Sequence, residues 1–352
     1  LHGSSAASDV YKRQNPNRGL LEKALYELES GKGAVVTNCG TSALNLWVSA
    51  FLGPDDLIIA PHDCYGGTYR LFNTRAQKGD FKVQFVDQSD QKALDDAIAK
   101  KPKLILLETP SNPLVRVVDI AAVCGKARQV GALVGVDNTF LTPVFQKPLE
   151  LGADFVIHST TKYINGHSDV IGGVVITKTE LHAEDLAWWG NCIGATGTPF
   201  DSYMTLRGIR TLGARMKVHE ESSAHILNYL QSQSLVGNIY HPSLPEHPGH
   251  EIAKKQQSGF GSMLSFEFAG SFEQLKHFVG ELELFSLAES LGGVESLICH
   301  PASMTHRAMG EAALAEAGVS QQLLRLSVGL EDADDLIADL EQAFSKTQEA
   351  LS

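Results

Sequence analysis

Seven short apolar runs punctuate the first half of the chain, at 34–36, 57–61, 83–87, 104–109, 133–137, 155–159 and 173–177. Most are apolar on consecutive residues rather than on alternate ones. Between several of them, as over 92–100 and 120–130, apolar positions recur at helical spacing. A strand covered on both faces reads as a continuous apolar run, and a helix between two such strands is the crossover a parallel pair requires. The pattern predicts an α/β fold with a mainly parallel sheet covered by helices. An earlier segment, 20–29, places Leu21, Ala24, Leu25 and Leu28 on one helical face, with Gly31 and Gly33 ending it.

Past about residue 215 the texture changes. Helical segments at 216–233, 311–318 and 332–350 flank alternating strands at 263–268 and 323–328. A smaller α+β domain is expected over 215–352, after a first domain over 15–214. Residues 1–14 are small, polar and aperiodic and are expected to be a non-native leader.

Composition narrows the choice of partners. With 43% hydrophobic and 20% charged residues among 352, a sizeable core is available and global disorder is excluded. The net charge of −12 argues against nucleic acid or an anionic membrane as partner. No apolar run approaches the length of a membrane span. Five scattered cysteines without a Cys-x-x-Cys pair read as free thiols, which points to a cytoplasmic location.

Ligands of a parallel sheet bind beyond the carboxyl ends of its strands, so the residues after each run carry the chemistry. The first run leads into Asn38-Cys39-Gly40-Thr41-Ser42, where a helix begins. Small residues there either cap the helix or leave N–H groups for a phosphate. The run at 133–137 ends in Asp137, either a turn former or a carboxylate facing a cationic ring nitrogen. The next leads into Ser159-Thr160-Thr161-Lys162. A lysine is usually a solvated charge, but one desolvated at a strand end becomes an imine-forming amine. A phosphate anchor, an acid for a pyridinium and a lysine for an aldehyde are together the parts of a pyridoxal-phosphate site.

Other chemistries find less support. There is no Walker loop and no Gly-x-Gly-x-x-Gly after a strand. His219-Glu220 and His250-Glu251 begin like zinc-protease motifs but lack the second His, so no metal is expected. Gly-x-Ser-x-Gly is absent.

Four stretches carry a family likeness: 60–70, which holds Tyr65-Gly66-Gly67-Thr68-Tyr69-Arg70; Glu108-Thr109-Pro110-Ser111-Asn112-Pro113; Val136-Asp137-Asn138-Thr139-Phe140; and 159–169. With them the chain, from about Asn15 to its C-terminus, resembles the Cys/Met-metabolism family of pyridoxal-phosphate enzymes. The resemblance implies an aspartate-aminotransferase-like type I fold, pyridoxal 5'-phosphate as cofactor, amino-acid substrates and a homotetramer built as a dimer of dimers. It implies that Lys162 holds the cofactor aldehyde and shuttles protons. Asp137 would pair with the ring nitrogen, Tyr65 would stack on the ring and assist proton transfer, and Asn112 would lie near the ring hydroxyl. Gly40, Thr41, Ser159 and Thr161 would hold the phosphate. Arg325 would grip the substrate α-carboxylate with help from Ser290, while Glu289 and Arg70 would select the side-chain end. Read alone, an Arg inside an apolar strand has a competing explanation, a structural carboxylate partner.

The Tyr65-to-Arg70 run, the Trp188-Trp189 pair and the stretch 288–297 are most similar to the family's bacterial synthase branch. That branch implies γ-replacement, in which O-acyl-L-homoserine, with O-succinyl as the expected acyl form, and L-cysteine give L-cystathionine in methionine biosynthesis. Cystathionine γ- or β-lyase and acyl-homoserine sulfhydrylase activities use the same core. A cofactor-free scaffold is the alternative from another class. Its motivation is a departure from the family's Tyr-x-Arg-x-x-Asn-Pro-x-Arg: aligned on Asn15-Pro16-Asn17-Arg18, the chain has Val10 and Lys12 in place of Tyr and Arg. Lys12 keeps a charge without the planar fork, and Val10 keeps nothing polar.

Overall fold

The computed structural model describes residues 15–307 and 310–350. The leader expected over 1–14, with Val10 and Lys12, lies outside the described residues.

The first helix, α1 (Pro16–Leu28), starts four residues before the apolar pattern does. Asn15 is its cap, accepting from the N–H groups of Asn17 and Arg18, and Pro16 fits the first turn because it has no N–H to satisfy. The expected stripe holds for Leu21 and Leu25, but Leu28 is exposed. Glu29 is buried in its place, tied to His158 and Asn138.

Seven strands form the larger sheet: β1 (Gly33–Thr37), β2 (Leu57–Pro61), β3 (Lys82–Val86), β4 (Leu104–Glu108), β5 (Leu133–Asp137), β6 (Phe155–His158) and β7 (Gly173–Thr177). Each overlaps a run read from the sequence. Their order is β1-β7-β6-β5-β4-β2-β3. The pairs among β2 to β6 are parallel; β7 is antiparallel to both β6 and β1. Six strands, β1 included, therefore end on one side of the sheet.

The continuous apolar runs have their expected cause. On one face lie Ile105, Leu107, Val134, Val136 and Val156; on the other lie Leu104, Leu106, Phe155 and Ile157. Helices cover both faces: α2 (Gly40–Phe51), α3 (Gly66–Gln77), α4 (Gln91–Ile98), α5 (Ile120–Val130), the short α6 (Thr142–Phe145), α7 (Glu180–Ile193) and α8 (Pro199–Ile209). Of these, α3, α7 and α8 were not legible in the hydrophobic pattern. Trp188, Phe200 and Tyr203 point outward from α7 and α8 and blur the apolar stripe.

A long helix, α9 (Leu212–Leu230), crosses the expected boundary at 214/215. Its Leu212 and Met216 join a cluster with Leu141 and Tyr163, whereas Ile226 and Leu230 belong to the second core. That core is built on a five-stranded sheet of β8 (Val236–Tyr240), β9 (Met263–Phe268), β10 (Ser286–Leu287), β11 (Leu297–Cys299) and β12 (Leu323–Ser327), ordered β10-β11-β12-β9-β8. The helices α10 (His250–Gln256), α11 (Phe272–Glu281), α12 (Gly310–Ala317) and α13 (Ala333–Glu349) accompany it. Among the described residues no helix is long and apolar enough to cross a membrane. All five cysteines are free thiols.

Candidate active site

The common end of the parallel strands opens on a cavity of about 370 Å³ that also receives residues from the smaller sheet. Of the twelve site residues expected from the sequence, eleven line it: Gly40, Thr41, Tyr65, Asn112, Asp137, Ser159, Thr161, Lys162, Glu289, Ser290 and Arg325. Arg70 does not. It is exposed in an adjoining polar cavity that shares Tyr65, Glu289 and Thr305 with the first.

At one end of the cavity, α2 begins at Gly40, capped by Cys39, whose Sγ accepts from the Ser42 N–H at 3.3 Å. The first-turn N–H groups of Gly40 and Thr41 have no acceptor inside the helix. A Cβ on Gly40 would come within 2.9 Å of the Ser159 Cβ, so glycine is what lets the helix end approach this strand end. Thr161 lines the cavity, but its hydroxyl is engaged with Gly172, donating to the carbonyl at 3.2 Å and accepting from the N–H at 3.0 Å.

Asp137, the last residue of β5, accepts from both the N–H and the hydroxyl of Thr139 through Oδ1. Thr139 in turn accepts from the Ser159 N–H at 3.0 Å, which joins the acid to the loop after β6. Burial pushes the Asp137 carboxyl up, while the Thr139 bonds and the nearby His158 oppose that rise. The unfavourable placement is the one a cationic partner relieves.

Lys162 stands in the same loop. Its Nζ donates to Ser290 Oγ at 3.1 Å. Burial, together with the nearby charge of Arg325, lowers its pKa from 10.5 to about 8. The loop is held from behind by Arg215, which donates to the carbonyls of Tyr163, Ile164 and Gly208. Gly166, with a φ of +73°, leaves the room that this guanidinium occupies.

Arg325 lies mid-strand in β12 and is 1% exposed. Its Nη1 donates to Asn112 Oδ1 at 2.9 Å, and its Nη2 donates to the carbonyls of Glu289 and Ser290. No carboxylate pairs with it among the described residues, and its Nε is buried without a partner. Of the two readings open for this arginine, a structural ion pair is therefore not realised. Tyr65, 45% exposed, precedes α3 with its ring folded over Gly67.

Sequence reasoning missed Glu108 and Thr139, both of which line the cavity. Glu108 ends an apolar strand as Asp137 does, so the same strand-end rule would have found it.

The residues fit pyridoxal phosphate. A helix N-terminus suits its phosphate, a buried acid its ring nitrogen and a desolvated amine its aldehyde. The model of the Cys/Met metabolism PLP-dependent enzyme family matches residues 2–345.

The chain belongs to that family. It is 59% identical to the cystathionine gamma-synthase of Escherichia coli (strain K12) over 338 residues, 96% of this chain and 88% of that protein. It is 42% identical to the cystathionine gamma-lyase of Bacillus subtilis (strain 168), over 97% of this chain and 90% of that one. Among solved structures, the cystathionine gamma synthase of Xanthomonas oryzae pv. oryzae in complex with cystathionine matches with a TM-score of 0.95 and 52% identity. That match covers 96% of this chain and 88% of the other. The expected fold class and the dependence on pyridoxal phosphate both stand.

Proposed function

We propose that the chain is a cytoplasmic cystathionine γ-synthase that replaces the acyloxy group of O-acyl-L-homoserine, O-succinyl foremost, with the sulfur of L-cysteine. The reading rests on one observation above all: Lys162, Asp137 and the acid-free Arg325 face a single cavity. The 59% identity to a synthase supports the choice of reaction over the lyases.

When bound, the cofactor supplies an aldehyde for the substrate amine and a ring that withdraws electrons from the neighbouring carbons. Gly40, Thr41 and Ser159 would hold its phosphate, with Thr161 beside them. Asp137 as a carboxylate would keep the ring nitrogen protonated, Tyr65 would cover the ring, and Asn112 would stand by the ring hydroxyl.

Arg325 takes the α-carboxylate as a charge-assisted fork, steadied by Asn112 and the carbonyl of Ser290. Lys162 works as base and then acid. With a pKa near 8 a useful fraction of its amine is neutral at physiological pH, ready to accept a proton from the substrate α-carbon at Nζ. The same flexible amine reaches the adjacent β-carbon and returns a proton later. Glu289 and Arg70, at the outer end, sort the leaving acyl group and the incoming thiol. In the net reaction the γ-carbon loses its bond to the acylate oxygen and gains one to the cysteine sulfur.

A homotetramer, a dimer of dimers, belongs to the same reading. It is supported by large exposed apolar side chains on consecutive helices, among them Trp188, Phe200 and Tyr203. Sedimentation velocity tests it.

The deciding experiment supplies the purified protein with pyridoxal phosphate, then with O-succinyl-L-homoserine plus cysteine or with cystathionine alone. Cystathionine formed in the first mixture and little keto acid in the second is the expected result. Rapid breakdown of cystathionine would make the chain a lyase. A colourless protein inert in both would leave only a scaffold.

A further inference from the structure

Glu108 has no role in the scheme above, yet it places a buried acid in the cavity wall. It closes β4 directly beside Asp137, its register partner on β5. It is buried, and its pKa is driven well above the ordinary carboxyl value, first by that burial and then by the charges of Asp137 and Asp63. A chain that needed only bulk there would be more stable with an apolar residue.

Two bonds offset the cost. Oε2 accepts the Tyr65 N–H at 3.0 Å and Oε1 accepts the Asn112 N–H at 3.1 Å. Tyr65 opens α3 and Asn112 lies in the loop after β4, so one carboxylate spans two separate pieces of chain. Asn112 passes the constraint on. Its carbonyl accepts from His306 Nε2 at 3.1 Å, and its Oδ1 accepts from Arg325 Nη1 at 2.9 Å. His306 is held neutral, its pKa lowered to about 4 by burial and by Arg325, and because a carbonyl only accepts, its one ring proton lies on Nε2. Tyr65 and Asn112 are two residues read as cofactor contacts, and Arg325 is the one read as the substrate's carboxylate clamp.

We propose that Glu108 is a positioning residue whose two carboxyl oxygens, by fixing the backbone of Tyr65 and of Asn112 together, set the slot for the cofactor ring and the orientation of Arg325. This rests on the pyridoxal-phosphate reading of the cavity. The residue type follows from the geometry. A glutamine offers one acceptor and turns an NH₂ group toward the second N–H; an aspartate is one methylene too short to span both.

The test compares the parent with Glu108→Gln and Glu108→Asp, full-length, stripped of cofactor and then titrated with pyridoxal 5'-phosphate. Three measurements of different kinds are made: the melting temperature of the cofactor-free protein, the binding of the cofactor through its dissociation constant and visible circular dichroism, and the kinetics, KM against kcat, for O-succinyl-L-homoserine. Cofactor-free Glu108→Gln should melt within a few degrees of the parent, because relief of the buried acid is set against one lost hydrogen bond. Its cofactor dissociation constant should rise roughly tenfold and the dichroism band should shrink, as expected for one lost hydrogen bond. KM should rise with it. Adding Asn112→Ala to Glu108→Gln should cost less than Asn112→Ala costs alone.

Unchanged dissociation constant and dichroism in a folded Glu108→Gln overturn the inference. If that variant does not fold, Glu108→Asp carries the test with the same expected shifts and the same overturning result. A parent that binds no pyridoxal phosphate overturns the reading of the cavity as well, whereas a binding parent with indifferent variants overturns only the role of Glu108.

Discussion

Lys162 Nζ and Ser290 Oγ are 3.1 Å apart, a hydrogen bond between residues 128 positions apart in the chain. Lys162 follows β6 of the large sheet, and Ser290 precedes β11 of the small one. The amine therefore sits where the two sheets meet, partly removed from water and near Arg325. Desolvation and a like charge both favour its neutral form, and the folded chain thereby prepares a base before any ligand arrives.

Replacing that amine is the first check. Lys162→Ala should lose the visible absorbance of the cofactor-bound protein. Turnover should fall by about 10³-fold, the scale of a lost general base. A stopped assay for cystathionine and a spectrum of the purified variant measure both; normal values would remove Lys162 from the mechanism.

The lowered lysine pKa is also a statement about stability. The unfolded chain keeps this proton up to about 10.5, and the folded one releases it near 8. Between those values the unfolded state holds more protons, so cofactor-free protein gains stability as pH rises through the window. Below pH 8 the full cost is present, roughly 3 kcal/mol at most. Lys162→Met should accordingly be the more stable protein at pH 7, and the difference in urea midpoint should narrow as pH rises from 8 towards 10.5.

Arg325→Lys keeps the charge and discards the fork. KM for O-succinyl-L-homoserine should rise about 10- to 100-fold with a smaller change in kcat, the scale of one or two lost charge-assisted hydrogen bonds. Steady-state kinetics of the reconstituted enzyme decide. An unaltered KM would return Arg325 to a structural role.

Asp137→Asn should separate stability from activity. Burial raises the Asp137 pKa, so the ionised acid is a burden in the cofactor-free protein. The amide should raise its melting temperature by a few degrees. It should also lower kcat by about 10²-fold or more, because nothing then holds the ring nitrogen protonated. Thermal melts without cofactor and turnover with it are the two measurements.

At Gly40 a single methyl group tests the phosphate seat. The added Cβ would lie 2.9 Å from the Ser159 Cβ, so helix and strand end must part. Gly40→Ala should raise the pyridoxal-phosphate dissociation constant about tenfold or more while the cofactor-free protein still folds. Equilibrium dialysis measures it, and tight binding would place the phosphate elsewhere.

Much of this molecule was written in the chain. Apolar runs marked the seven strands of the large sheet, continuous in the central strands because both faces are covered there, while the edge strand β3 (KVQFV) keeps polar Lys82 and Gln84 in alternation. Asp137 and Lys162 were legible for a related reason: Asp137 ends a run that is otherwise apolar, and Lys162 follows the short run at 155–159 after two hydroxyl residues, placements where a desolvated charge needs a partner. Tertiary structure alone decided the rest. Glu108 meets the backbone of Tyr65, and Arg325 meets Asn112 across 213 positions of sequence. Leu28 turned outward and Glu29 inward because His158 and Asn138 wait in the core. Arg70 was placed in the adjoining cavity by the direction of α3. Local spacing encodes which residues a strand or helix can bury, but a hydrogen bond between distant segments depends on how the elements dock, and no local pattern records that.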